Sequence, residues 1–173
     1  MSGFDLEAEV RDLAARRDIA AACQRYMRGQ DRLLPELHHS AFHDDAHVDC
    51  GLFAGDAAGF VGFAQGFLGD CKGSQHLMGQ HSISIDGDRA TGELYFLAWH
   101  RIVEDGADKD LLVCGRYVDR YERRAGAWRI ADRRELIDWA RTDPAADGFL
   151  AAQAGKLLMG ARGAADLSAQ VAA

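Results

Sequence analysis

Residues 75–130 read QHLMGQHSISIDGDRATGELYFLAWHRIVEDGADKDLLVCGRYVDRYERRAGAWRI, and this stretch decides the fold. Its apolar residues tend to recur at every second position, and three turn signals punctuate it: Asp86-Gly87, Asp105-Gly106 and Ala125-Gly126. Such pairs supply the positive φ that tight hairpins need. They stand 19 and 20 residues apart. That spacing predicts four long antiparallel strands over about 75–85, 89–103, 109–123 and 127–139. In the second, Leu94, Phe96, Ala98, His100 and Ile102 share one face, and Tyr95, Leu97, Trp99, Arg101 and Val103 share the other. Both faces are largely apolar, so one should take helices and the other a partner subunit.

Upstream of this stretch the period changes to that of a helix. Ile19, Ala22, Cys23, Tyr26 and Met27 form one stripe, extended backward by Leu6, Val10, Leu13 and Ala14. Gly29 stands where a helix end favours positive φ. Leu33–Phe42 reads as a short helix with Pro35 in its first turn, followed by a strand near Ala46–Cys50. A third helix carries Phe60, Phe63, Ala64, Phe67 and Leu68 on one stripe, either as core or as the wall of an apolar pocket. Downstream, Leu150, Ala154, Leu157 and Leu158 suggest a last helix over 146–160, with a frayed tail beyond Gly160. Helices followed by a four-strand meander make an α+β domain over residues 1–143, with a helical extension and tail over 144–173.

Composition narrows the function. The chain has 173 residues, 48% of them hydrophobic, enough for one core, and a net charge of −7. That charge argues against a nucleic-acid partner, and the longest apolar run, Leu94–Trp99, is far too short for a bilayer span. Residues 1–10 are acidic and lack the apolar stretch of a signal peptide. Cys23, Cys50, Cys71 and Cys114 are widely spaced and fit reduced thiols in a cytoplasmic protein. No G-x-S-x-G or phosphate-binding loop is present: Gly59-x-x-Gly62 and Gly66-x-x-Gly69 lack a following Lys-Ser/Thr.

In its order of elements the chain resembles the SnoaL-like branch of the NTF2-like superfamily, cone-shaped α+β barrels, over roughly residues 5–140. The carriers are Ile19 and Tyr26, then Asp31, then Phe42-His43-Asp44-Asp45-Ala46. Gln75-His76-Leu77-Met78-Gly79, Ile85-Asp86-Gly87-Asp88-Arg89-Ala90, Tyr121-Glu122-Arg123-Arg124 and Gly126-Ala127-Trp128-Arg129-Ile130 complete the set. That branch holds lyases that need no cofactor, among them hexachlorocyclohexane dehydrochlorinase, scytalone dehydratase, bile-acid 7α-dehydratase and diarylpropane γ-formaldehyde lyases. The spacing is most similar to the dehydrochlorinase. The resemblance implies a His–Asp dyad in an apolar cone, carried here by His76 and Asp31. It also implies an Arg five residues after the last-strand Trp, matching Arg133, and a helical Tyr five residues before the Asp, matching Tyr26.

The chemistry fits those residue types. Histidine titrates near neutrality and can take a proton, and a carboxylate on its second nitrogen fixes the tautomer. A guanidinium and a phenol can hold developing negative charge. Arg133 and Arg134 point to opposite faces, and the register after Trp128 favours Arg133. Its ordinary alternative is an ion pair with Asp132, Glu135 or Asp138. Trp99, His100, Phe63, Phe67 and Tyr117 are the expected substrate contacts. His38, His39, His43 and His47 cluster beside Asp44 and Asp45, but only His39 and His43 have a metal-ligand spacing on a helix, so no metal site is assigned.

The expected function is a cofactor-independent lyase acting on a hydrophobic ring compound, such as a lignin-derived diarylpropane, with loss of water, halide or formaldehyde. Alternatives are an isomerase or cyclase on the same scaffold, a non-catalytic binding or assembly module, or a ring-dioxygenase small subunit. A homo-oligomer, dimer or trimer, is the expected assembly.

Overall fold

The computed structural model describes residues 5–170. The chain runs α1 (Leu6–Asp31), α2 (Pro35–His39), β1 (Phe42–Asp49), β2 (Ala54–Asp56), α3 (Ala57–Asp70), β3 (Gly73–Asp86), β4 (Arg89–Glu104), β5 (Ala107–Arg124), β6 (Ala127–Pro144) and α4 (Gly148–Ala152). Six strands form one curved, unclosed sheet in the order β2-β1-β6-β5-β4-β3. All neighbours are antiparallel except β1 and β6, which run parallel, so the sheet is mixed where the sequence suggested a purely antiparallel one. No helix among the described residues is long and apolar enough to cross a membrane.

The three predicted hairpins form at the turn signals. Asp105-Gly106 and Ala125-Gly126 take positive φ at both loop positions, the type I′ pattern that matches strand twist. At the first hairpin Gly87 alone has positive φ. Helix α1 starts on Asp5, whose carboxylate accepts the Ala8 N–H, and α3 starts on Asp56, which does the same for Gly59. The buried stripe of α1, including Ile19, Cys23, Tyr26 and Met27, packs on the inner face of the sheet, whereas Leu6, Val10 and Leu13 remain exposed. Gly29 lies inside α1 rather than past its end. A Cβ there would sit 2.5 Å from the His38 backbone nitrogen, so its role is the close approach of α2.

The inner and outer faces of β6 are set by two bulges. One falls at Ala131, between the pairs Tyr121–Ile130 and Arg120–Asp132, and the other at Asp138, between Gly115–Ile137 and Cys114–Trp139. Each extra residue flips the alternation. Arg133, Glu135 and Ile137 therefore face inward, and Ala140 also faces inward beyond the second bulge. Gly115 is required there, because a Cβ would meet the Leu136 carbonyl oxygen at 2.1 Å.

Two local expectations are corrected. The last helix is five residues long rather than spanning 146–160. Gly155 takes positive φ, and Leu150, Leu157 and Leu158 find no burying partner. The segment beyond them is held by polar contacts to the end of α1: Arg32 donates to the Ala161 carbonyl at 3.0 Å, and Gly163 N–H donates to the Arg32 carbonyl at 2.8 Å. The second correction concerns the histidine cluster. His39 ends α2 and His43 lies in β1, so they share no helix. His43 Nε2 instead contacts the Glu122 carbonyl at 2.9 Å, and among the described residues no group of three or more His, Cys, Asp or Glu side chains is placed to hold a metal ion.

Candidate active site

A cavity of about 420 Å3 lies between α3 and the inner face of the sheet. Phe60, Phe63 and Phe67 of α3 wall one side, and Phe96, Ala98 and His100 of β4 wall the other. The phenylalanine stripe thus serves both purposes its spacing allowed. Phe60 is buried in the core, while Phe63 and Phe67 are part-exposed at the cavity.

Into this apolar space project His76, Gln30, His100, Tyr117 and Glu135. Asp31 is the last residue of α1, and His76 sits near the start of β3 opposite Ala98. Folding α1 across the sheet closes the 45-residue separation between them. The Asp31 carboxylate accepts two hydrogen bonds from one residue, from the His76 backbone N–H at 2.8 Å and from Nδ1 at 2.7 Å. Both side chains are over nine-tenths buried. A carboxylate that accepts from Nδ1 places the ring proton there and leaves Nε2 as a bare lone pair. Nε2 has no hydrogen-bond partner among the described residues. His100 stands edge-on to His76 with ring centroids 5.4 Å apart, and burial lowers its pKa to about 4, so it is neutral at ordinary pH.

Arg133 is placed otherwise than expected. It is inward-facing but completely buried and does not line the cavity. Its cross-strand neighbour Asp119 accepts from Nε at 2.8 Å and from Nη2 at 2.7 Å. The guanidinium lies between the rings of Tyr26 and Tyr117, 4.2 and 4.0 Å from their centroids. Tyr121 donates at 2.5 Å to the same Asp119 oxygen, Oδ2, that accepts from Arg133 Nη2, and it meets His81 Nε2 at 3.1 Å. Arg133 is thus a buried ion pair, with a partner other than Asp132, Glu135 or Asp138; its Nη1 has no hydrogen-bond partner, and the residue stands off the cavity wall.

Tyr26 is also buried and off the cavity wall, its hydroxyl accepting from Gln30 Nε2 at 3.2 Å. Trp99 lies on the opposite face of β4 from His100, where its indole donates to Asp110 at 2.7 Å, so it makes no cavity contact. His100, Phe63, Phe67 and Tyr117 do line the cavity.

The sequence reading missed two polar side chains that line the cavity, Gln30 and Glu135. Gln30 precedes Asp31 and is buried, with Oε1 unpartnered. Glu135 entered only as a possible partner for an arginine. Its signal was the strand period, since a residue two beyond Arg133 must share its face.

Comparison with known proteins agrees with this architecture. No curated protein matches the chain significantly. Among solved structures, a hexachlorocyclohexane dehydrochlorinase from Novosphingobium barchaimii is 20% identical, with a TM-score of 0.70 over 80% of this chain and 94% of that one. A putative scytalone dehydratase from Novosphingobium aromaticivorans is 20% identical, with a TM-score of 0.68 over 78% and 91%. An NTF2-like protein with a cystatin-like fold, also from N. aromaticivorans, is 20% identical, with a TM-score of 0.63 over 91% and 99%. These likenesses show a shared NTF2-like fold. The model of the SnoaL-like domain matches residues 11–134, and the chain belongs to that family.

Proposed function

We propose that the protein is a lyase whose own side chains carry the chemistry, acting on a hydrophobic, ring-bearing small molecule. The observation that carries this reading is the His76–Asp31 pair, with its unpartnered Nε2 in an apolar cavity. His76 takes a proton from the substrate, and Asp31 stabilises the imidazolium that results. The phenylalanine walls favour a flat or cyclic substrate, and a diarylpropane of the lignin type is one candidate. The dehydratase and dehydrochlorinase among the structural neighbours support elimination as the reaction class. A second copy of the chain is proposed to cover the outer sheet face, which exposes Leu77, Tyr95, Leu136 and Trp139.

The test is incubation with a panel of hydroxylated and halogenated ring compounds, with mass spectrometry reporting loss of water, HX or formaldehyde. His76→Ala should lose turnover by about 100-fold or more while keeping the wild-type circular dichroism spectrum. Full activity in that variant removes the assignment, and a product of unchanged mass replaces the lyase with an isomerase or cyclase.

A further inference from the structure

The cavity is lined by no lysine or arginine, and its nearest guanidinium, Arg133, is bonded to Asp119 and covered by two tyrosine rings. A departing halide would meet no lysine or arginine there, and the imidazolium formed on His76 is held by Asp31. The group would face the Glu135 carboxyl. Glu135 projects from β6 directly across from Tyr117 and is half-buried. It makes no hydrogen bond or ion pair among the described residues. An ionised carboxylate in such a place is costly, whereas a protonated one is a ready donor. A substrate hydroxyl can accept the proton of that carboxyl.

We propose that Glu135 is the proton donor to the leaving group, which suits the cavity to expelling a group through oxygen, as water or an alcohol. The inference rests on the lyase reading of His76 and deepens it. His76 Nε2 takes the proton from the carbon next to the one bearing oxygen, and the C–H electron pair becomes the new C=C bond. The C–O pair stays on oxygen, which takes the Glu135 proton and leaves as neutral water or alcohol. Imidazolium and carboxylate then remain, and solvent resets both by taking one proton and returning one.

The charged and titratable groups around Glu135 are Arg133 on its own strand, His76 on β3, Tyr117 on β5, Tyr26 on α1 and Cys50 after β1, with His100 of β4 lining the same cavity. Burial raises its pKa above the ordinary glutamate value, against the pull of Arg133 and His76.

Two measurements on the full chain test this. In the first, carbon-13 NMR of glutamate-labelled protein, with Glu135→Gln as the assignment variant, follows the Glu135 carboxyl through a pH titration. The expected midpoint lies above those of the other glutamates, and an ordinary midpoint overturns the proposal whether or not any substrate is turned over. In the second, 3-hydroxypropiophenone and 3-chloropropiophenone serve as probes, because both eliminate to phenyl vinyl ketone and differ only in the group expelled. Glu135→Gln should slow water loss by about 100-fold or more and His76-dependent chloride loss far less, because chloride needs no proton to leave, and Glu135→Asp should partly restore water loss. Equal loss of both eliminations, or of neither, overturns the proposal. No elimination from either probe by the wild type counts against the lyase reading, and the NMR titration then still decides the role of Glu135.

Discussion

Two buried carboxylates at the inner face of the same sheet are each paired with a basic side chain, and their difference is instructive. Asp31–His76 and Asp119–Arg133 are both buried and both short, at 2.7 Å. The first leaves one nitrogen unpartnered at an apolar cavity. The second is bidentate and stacked between Tyr26 and Tyr117, and its own unpartnered nitrogen, Arg133 Nη1, is buried away from the cavity. Burial and proximity alone therefore do not mark a reactive group; the atom left without a partner, and the space it faces, do. On the proposed reading the first pair exchanges a proton, while the second ties β5 to β6.

The largest way to break this contrast is Asp31→Asn. An amide cannot stabilise the imidazolium and can present its N–H to Nδ1, favouring the wrong tautomer. Turnover should fall by about 1,000-fold or more with little change in KM, read by steady-state kinetics. Unchanged kcat would place Asp31 among structural residues. The next effect is in stability. Arg133→Met leaves Asp119 buried and unpaired and should cost about 3–5 kcal/mol in denaturant unfolding, most of it recovered when Asp119→Leu is added. A stable Arg133→Met protein with no turnover would mean that the Asp119–Arg133 pair takes part in the chemistry.

A smaller effect is in pH. Burial holds His38 down to about 3 and His100 to about 4. Between those values and about 6.5 the unfolded chain takes protons that the folded chain refuses, so stability falls as pH falls. The limiting slope is about 1.4 kcal/mol per pH unit for each histidine. Thermal melts from pH 7.5 to 4.5 should show the decline, and His38→Leu should flatten it. An acid-insensitive melt would contradict the burial of these rings.

The long strands were legible because period-two alternation and Gly-bearing turns are local signals. The His76–Asp31 pairing was not local, since its two residues are 45 apart and only the resemblance to the SnoaL-like branch linked them. The β6 bulges had no sequence mark. Counted back from Ala125-Gly126 without a bulge, Arg133 falls opposite Val118 and faces outward. The bulge at Ala131 turns it inward and sets it against Asp119. That one inserted residue decides the fate of Arg133 and, two positions on, brings Glu135 into the cavity. Trp99 was misplaced for a simpler reason: it and His100 are adjacent on one strand and cannot share a face. The apolar stripe at 150–158 carried a helical period, but nothing is packed against it to make the helix last.

The most direct test of the central claim is the tautomer of His76, read by long-range nitrogen-15 NMR of the full chain near pH 7.5 with His76→Ala for assignment. A protonated Nδ1 beside a bare Nε2 is the predicted result. A proton on Nε2 with Nδ1 bare would contradict it, because the ring would then offer no base to the cavity.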